Sequence, residues 1–410
     1  LQDLRINFLK LLSALSHALD YNGKGLMHHH TRVALIAQQI AQELEVEENH
    51  INNLVYAAML HDAGAKTFRE KAELVIFEVR ETSDHCVNGH RLMKLSPLLN
   101  PLAEILLCHH DRWDGGNSSG LSGDGIPLAG RIIHLADRVD VLIGENEHIL
   151  NQRYEISKRI DYYSGSLFDP RIVKVFKKIA QKESFWLELT SVNPEQLLTA
   201  RIKNSEKVVN LTDLLGIGEV FARIIDNKSP FTHLHSRLVS KVAAGMAMLA
   251  GYSENQAKAL QLAGLLHDLG KLAVPESIIE KPGPLSNEEY NIIKCHTYYT
   301  YNILNMVDGF EEISQWAAYH HECLNGNGYP FKIDASGLSA EARLMAVSDI
   351  FTALVEDRPY RPGLPRDKVT EILLEKARRQ DIDIDWVELL LDNYGFFLKQ
   401  KEAINHGAVQ

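Results

Sequence analysis

Histidine is the residue to explain in this chain, with 19 copies in 410 residues. His267 and Asp268 close an apolar run through Leu262, Leu265 and Leu266, so an imidazole and a carboxylate are carried toward an interior. A buried carboxylate without a partner loses several kcal/mol, and a bound cation is one direct way to remove that penalty. Taken alone, such a pair is a helix end with a satisfied salt bridge. Here His235, His296, His320, His321 and Asp349 join it, and these seven nitrogen and oxygen donors suit two divalent metals bridged by one carboxylate. Lys271 follows His267 by four residues and shares its face if the helix continues, where its ammonium would hold a phosphate or act as an acid; the plain alternative is a solvated lysine.

The elements that must position these residues are helices. After His235, apolar residues recur at Leu238, Val239, Val242, Ala243, Met246 and Leu249, one face of a helix against a core. A similar stripe, Val33, Ile36, Ala37, Ile40 and Leu44, follows His29. The interval of 32 residues from His29 to His61 recurs from His235 to His267, and the 24 residues from His85 to His109 recur from His296 to His320. The chain therefore reads as a duplication, and the first copy offers His29, His61, Asp62, His85, His109, His110 and Asp137 as a second possible metal site. Glycine and proline place loops at Asp114 to Pro127, Lys281 to Pro284, Asn325 to Pro330 and Arg358 to Pro365. The basic run Arg171 to Lys182 closes the first repeat, and Ser191 to Lys207 is the expected linker. The expectation is an all-α chain of two tandem helical bundles, residues 1–195 and 196–410, with few strands. An opening helix through Leu4, Phe8, Leu11, Leu12, Leu15 and Leu19 serves packing or connection. Gly216-Ile-Gly218 lacks a preceding strand and a third glycine, which makes a phosphate-binding reading weak.

Composition removes several function classes. Charged residues make 24% and hydrophobic ones 45%, the balance of a folded globular protein. The net charge of −11 comes from scattered acids, which argues against an extended nucleic-acid or anionic-membrane surface. Apolar stretches such as Leu54 to Leu60 fall short of the ~20 residues a membrane span needs, and no signal pattern opens the chain, so a cytoplasmic location is expected. Cys86, Cys108, Cys295 and Cys323 show no spacing for a disulfide framework or thiolate metal site.

His267-Asp-Leu-Gly-Lys271, Lys281-Pro-Gly-Pro-Leu285, His320-His-Glu-Cys-Leu-Asn-Gly-Asn-Gly-Tyr-Pro330 and Arg358-Pro-Tyr-Arg361 carry a resemblance. Residues 220–400 resemble the HD-GYP family of metal-dependent cyclic dinucleotide phosphodiesterases, within the wider HD phosphohydrolases. The resemblance implies that His235, His267, Asp268 and Asp349 hold one ion, and that Asp268 bridges to a second held by His296, His320 and His321. A third ion in some members uses a Glu four residues before the first histidine; here that position is Phe231, so two divalent ions, Fe or Mn, are expected. Ions sharing a water lower its pKa toward about 7 and clamp phosphoryl oxygens during in-line displacement. Lys271 and Asp268 would serve catalysis, with Lys271 also holding the phosphate or protonating the departing 3′ oxygen. Arg358 and Arg361, in a segment that also carries Arg366 and Lys368 against Asp367, would fork the second phosphate. The product would be a linear 5′-phosphorylated dinucleotide. Gly328, Tyr329 and Pro330 admit a site-bordering loop that contacts diguanylate cyclase-type domains or a plain tight turn. Thr352 replaces an Asp usual three residues after the last ligand, with a small effect expected.

The first repeat keeps the seven ligand positions and lacks the rest. The lysine position is Ala65, with Lys66 one residue off; the Gly-Tyr-Pro position is Asn117-Ser-Ser119; and no Arg-Pro-Tyr-Arg follows Asp137. It reads as a structural or regulatory lobe, with ligand sensing and a working site as alternatives. The function expected of the whole is hydrolysis of c-di-GMP or 3′3′-cGAMP in the second repeat. The rivals are a receptor or adaptor without turnover, and a nucleotidase acting on mononucleotides.

Overall fold

The computed structural model describes residues 4–20, 28–65, 77, 83–144, 146–227, 234–281, 283–357 and 362–407. The chain divides into two compact units, Asn7–Lys207 and Leu1–Ile6 with Val208–Gln410. Two short strands, β1 (Leu4–Asn7) and β2 (Glu206–Val209), pair with each other, and the other regular elements among the described residues are helical. Leu4 therefore lies on a strand, and the opening helix, α1 (Phe8–Asp20), starts later than its apolar spacing suggested.

In the first unit the site is built on α2 (His29–Glu43), α3 (Glu48–Leu60), α4 (Ser83–Met93), α5 (Ala103–Leu107) and α6 (Leu128–Val141). It is completed by α7 (Ile149–Tyr162), α8 (Pro170–Ile179), α9 (Glu183–Leu189) and α10 (Pro194–Arg201). The expected linker holds α10, which packs on α1 and α2, so this unit runs past 195/196 to Lys207. Val33, Ile36, Ala37 and Ile40 on α2 are fully buried, each such side chain contributing about 1.5–3 kcal/mol.

The second unit repeats the plan. Its α11 (Leu211–Asn227), α12 (His235–Leu249) and α13 (Glu254–Leu266) stand where α1, α2 and α3 stand in the first. After α14 (Glu276–Ile279) come α15 (Asn287–Leu304), α16 (Glu311–Ala318) and α17 (Ala340–Val355), the counterparts of α4, α5 and α6. The unit ends with α18 (Arg366–Arg378), α19 (Ile384–Asp392) and α20 (Tyr394–Gly407). Capping boxes at Ser253 with Gln256 and Ser286 with Glu289 fix the starts of α13 and α15. Leu238, Val239, Val242, Ala243 and Met246 are buried as expected, whereas Leu249 at the end of α12 is exposed.

Gly216 and Gly218 lie inside α11, where a Cβ on Gly218 would come 2.8 Å from Leu262 Cδ1. That glycine lets two helices approach and belongs to no phosphate loop. A tighter requirement falls on Gly270, where a Cβ would collide with the carbonyl of His296 and come within 2.9 Å of Thr300 N. Gly64 is held the same way against the carbonyl of His85.

Candidate metal centres

The α13 helix ends at Leu266 with His267 as its cap, and Leu269–Ala273 continues as a 3-10 turn. The α-helical face expected to carry Lys271 is thus broken at Asp268. The tighter turn still brings Lys271 Nζ to 2.5 Å from Asp268 Oδ2, with its side chain 22% exposed.

Asp268 stands between two groups of histidines. Its Oδ2 faces His267 Nε2 at 3.2 Å and His235 Nε2 at 4.0 Å, and Asp349 Oδ1 lies 3.1 Å from His235 Nε2 and 3.9 Å from His267 Nε2. Its Oδ1 faces His296 Nε2 at 3.5 Å and His320 Nε2 at 4.0 Å. His321 joins His296 and His320, with their ligand atoms within 4.8 Å of one another. One carboxylate thus addresses two sets of donors, one oxygen to each.

The histidines are oriented for ligation by their own helices. Nδ1 of His267, His296 and His320 donates to the carbonyls of Gly264, Ile293 and Ala317 at 2.8, 2.5 and 2.7 Å. A carbonyl only accepts, so the proton sits on Nδ1 and the lone pair of Nε2 points into the site. Burial, with neighbouring cations, pushes His296 down to about 3, His321 to about 4 and His320 well below its usual range, leaving these rings neutral at pH 7. Burial opposes ionisation of Asp268, yet His267 and Lys271 hold its carboxyl well below the usual carboxylate range. His267 Nε2 and Asp268 Oδ1 are buried without a hydrogen-bond partner. Orphaned buried donors of this type fit a bound cation.

Two partners were not visible in the sequence. Glu356, just past the end of α17, accepts from His235 Nδ1 at 2.9 Å, and with Asp349 it raises His235 to about 10 against the opposing effect of burial. In the first unit the corresponding His29 Nδ1 meets Asp140 at 2.7 Å, three residues after Asp137. The equivalent position in the second unit is Thr352, whose buried Oγ1 has no hydrogen-bond partner. The missing aspartate is thus answered from a different place on the chain. The clue in the sequence was the contrast of Asp140 with Thr352.

The Gly-Tyr-Pro segment folds back on the site. Tyr329 N donates to His321 O at 3.1 Å, and the Tyr329 ring lies 4.9 Å from the His321 ring. Glu322 anchors the following backbone through Phe331 N and Ile333 N at 2.7 and 3.1 Å. Gly328 is buried, and a Cβ there would collide with the backbone of Glu322 and Cys323. Arg366 lies over the Tyr394 ring at 5.0 Å, and Lys368 pairs with Glu371. Arg358, Arg361, Phe231 and Lys66 fall outside the described residues.

The first unit assembles its seven donors in the same pattern. Asp62 Oδ2 faces His61 and His29 at 3.5 and 3.8 Å, while Oδ1 faces His85 and His109 at 3.7 and 3.9 Å. Asp137 Oδ1 lies 3.6 Å from His29, and His110 Nδ1 lies 3.8 Å from Asp137 Oδ2. Three departures separate it from the second centre. Asp137 is bound by the buried guanidinium of Arg138 at 2.6 Å. The Cys86 thiol lies 3.6 Å from both His85 and His109, and although burial works against its ionisation, these rings bring it down to about 6. Asn117 ties its loop to Arg112 and Leu121, and among the described residues the ring contacts of His110 are with His85, His109 and His134, where His321 has Tyr329.

Among the described residues no helix is long and apolar enough to cross a membrane. Comparison with known proteins matches the HD domain to residues 13–172 and again to 219–385. The chain is 30% identical over 397 residues to the 3′3′-cGAMP-specific phosphodiesterase 1 of Vibrio cholerae, covering 95% of this chain and 92% of that protein. It is 34% identical over 160 residues, 38% of this chain and 42% of the relative, to a cyclic di-GMP phosphodiesterase response regulator of Xanthomonas campestris. A crystal structure of a cyclic GMP-AMP specific phosphodiesterase of V. cholerae superposes with a TM-score of 0.68 at 25% identity, covering 96% of this chain and 98% of that one. With both halves matched in this way, and each half presenting an aspartate between two histidine sets, the chain belongs to the HD domain family and carries that domain twice.

Proposed function

We propose that this chain is a metal-dependent phosphodiesterase that opens cyclic dinucleotides, 3′3′-cGAMP foremost, and that the second unit performs the hydrolysis. What carries the reading is Asp268, whose two oxygens address separate histidine sets beside a lysine. Bound divalent ions supply activation of water and neutralisation of phosphoryl charge. The imidazole and carboxylate donors suit Fe or Mn, and the number proposed is two.

The remaining work falls to side chains. His235, His267, His296, His320, His321 and Asp349 fix the donor positions, and Asp268 sets their common reference. Lys271 Nζ, half-buried beside Asp268, is placed to meet a phosphoryl oxygen or to give a proton to the departing 3′ oxygen. Water adds to phosphorus, the bond to the 3′ oxygen breaks, and the phosphate stays on the 5′ oxygen of a linear dinucleotide. Tyr329 walls the site at His321, and Arg358 and Arg361 are assigned to the second phosphate on their sequence alone. Docking of a diguanylate cyclase-type domain at Gly328, Tyr329 and Pro330 has its support in the resemblance alone. The first unit, with Ala65 in the lysine position, is assigned a structural or regulatory role.

Substrate choice rests on the relatives: the cGAMP-specific enzyme matches both units, while the cyclic di-GMP enzyme matches little more than one third of the chain. The test is anaerobic purification with metal analysis, followed by chromatography of products from 3′3′-cGAMP and c-di-GMP side by side. A linear dinucleotide formed faster from 3′3′-cGAMP, and lost with chelator, is expected. No turnover of either substrate by the Mn- or Fe-loaded chain would make it a receptor.

A further inference from the structure

The first unit carries a buried donor at its centre that the second unit lacks. His30 follows His29 on α2 and is 3% exposed. Its Nδ1 is hydrogen-bonded to Asp20 at the end of α1, which leaves Nε2 as its other polar atom. That nitrogen is buried and has no hydrogen-bond partner. His61 Nε2 and Asp62 Oδ1 share this condition, and the ligand atoms of His30, His61 and Asp62 lie within 4.8 Å of one another. The His30 ring stands 5.0 Å from that of His61 and 5.2 Å from that of His29. Converging buried polar atoms without partners call for an ion or a water to satisfy them.

The second unit shows what the same register does without this ring. Ser236 follows His235, and its hydroxyl donates to Asp226 at 2.8 Å, as His30 engages Asp20. A hydroxyl turned to its aspartate at that distance cannot reach across to the metal ligands, whereas an imidazole has a second nitrogen on the far side of the ring. A carboxylate on one histidine nitrogen and a metal on the other is a recurrent way of holding a ligand in place.

We propose that His30 is a metal donor of the first unit, sharing an ion with His29, His61, Asp62 and Asp137. Such a set gives the ion a further protein donor and leaves fewer positions for water or substrate, in the direction of metal sites that serve structure instead of chemistry. The inactivity assigned to this unit then has a cause at the ion as well as at Ala65.

The test uses the full chain carrying His267→Ala and Asp268→Ala, so that retained metal reports the first unit. Mn²⁺ is loaded, and ions per chain are measured by mass spectrometry after dialysis against graded EDTA. His30→Asn keeps an amide toward Asp20 while deleting Nε2, and His30→Ser copies the second unit. In both, the EDTA concentration that strips half the metal should fall by roughly tenfold or more, and the Co²⁺-loaded form should change its visible absorption. An unchanged stripping curve and spectrum in a His30→Asn chain of native circular dichroism would overturn the assignment. So would a first unit that holds no metal with His30 in place. Hydrolysis by the chain with an intact second centre is assayed separately, so failure of the catalytic reading shows as absent turnover whatever the stripping curve does.

Discussion

Removing the Glu356 carboxylate should loosen the second centre by releasing one of its histidines. Glu356 Oε2 lies 2.9 Å from His235 Nδ1, with the two side chains 12% and 5% exposed, so water is a poor substitute for the lost acceptor. In Glu356→Ala the ring has nothing to fix its tautomer or rotation. Outer partners of metal-binding histidines are worth 10–100-fold in affinity or activity, or about 1.4–2.7 kcal/mol at 1.36 kcal/mol per factor of ten. Because this contact is buried and charge-assisted, the upper half of that range is expected, about 2–2.7 kcal/mol. The assay is Mn²⁺ titration of the chelator-stripped chain, read both as bound metal and as hydrolysis of 3′3′-cGAMP. Glu356→Gln retains an acceptor oxygen and should fall between the native chain and the alanine variant. The deciding variant is Glu356→Ala with Thr352→Asp, which rebuilds in the second unit the contact His29 makes with Asp140 in the first. It should recover most of the lost affinity. Unchanged Mn²⁺ affinity in Glu356→Ala, or no recovery in the double variant, would refute the reasoning.

Asp268→Ala should abolish hydrolysis and lower the metal content of the second unit, because one carboxylate serves both donor sets; unchanged stoichiometry would remove its bridging role. Lys271→Ala should leave metal bound and reduce turnover by roughly 10²-fold, and near-normal turnover would make the lysine a bystander. His61→Ala with Asp62→Ala should preserve hydrolysis by the second unit; complete loss in a chain shown to be folded would reverse the division of labour. A pH effect is expected at Glu195, which accepts from His17 and His28 at 2.5 and 2.8 Å. Burial opposes its ionisation, yet both rings hold its carboxyl at about 2, and Glu195 raises His17 above 6.5 despite burial. The depressed carboxyl contributes stability above about pH 4.5 that is lost as pH falls toward 2, and the raised imidazole contributes stability below about pH 6.5 that is lost as pH rises through its folded pKa. Glu195→Gln should therefore lower Tm most between about pH 4.5 and 6.5, by the equivalent of about 1–3 kcal/mol, and an equal loss at all pH values would count against the ionic account.

The duplication was legible because metal-binding geometry is strict about spacing. From α2 to the His-Asp pair, each turn that brings His29 to His61 must recur to bring His235 to His267, so the interval survives in the residue numbers. The donor lists were legible for the same reason. What the sequence did not reveal depends on where a helix stops. Lys271 was read as the next turn of α13, but His267 caps that helix and a 3-10 turn delivers the ammonium to Asp268. Glu356 was hidden because it lies past the end of α17, where helical spacing no longer applies. The segment read as a linker carries α10, whose Leu198 is buried against the first unit although its helix shows little apolar periodicity.

Gly270 and Gly64 act as gauges. Each presses the backbone after a His-Asp pair against the helix that brings the third histidine, closely enough that even a methyl group has no room. They thereby set how far the His-Asp pair lies from the third histidine, a length no rotamer can adjust. An alanine at either position would have to move that helix, and with it His296 or His85, so the donor set would be disturbed together with the packing. The first unit has given up its lysine and its Gly-Tyr-Pro segment but kept this gauge. The same close approach at Gly64 holds the backbone after His61 and Asp62 against the helix of His85, so the spacing between the pair and the third histidine is built into the backbone in both units.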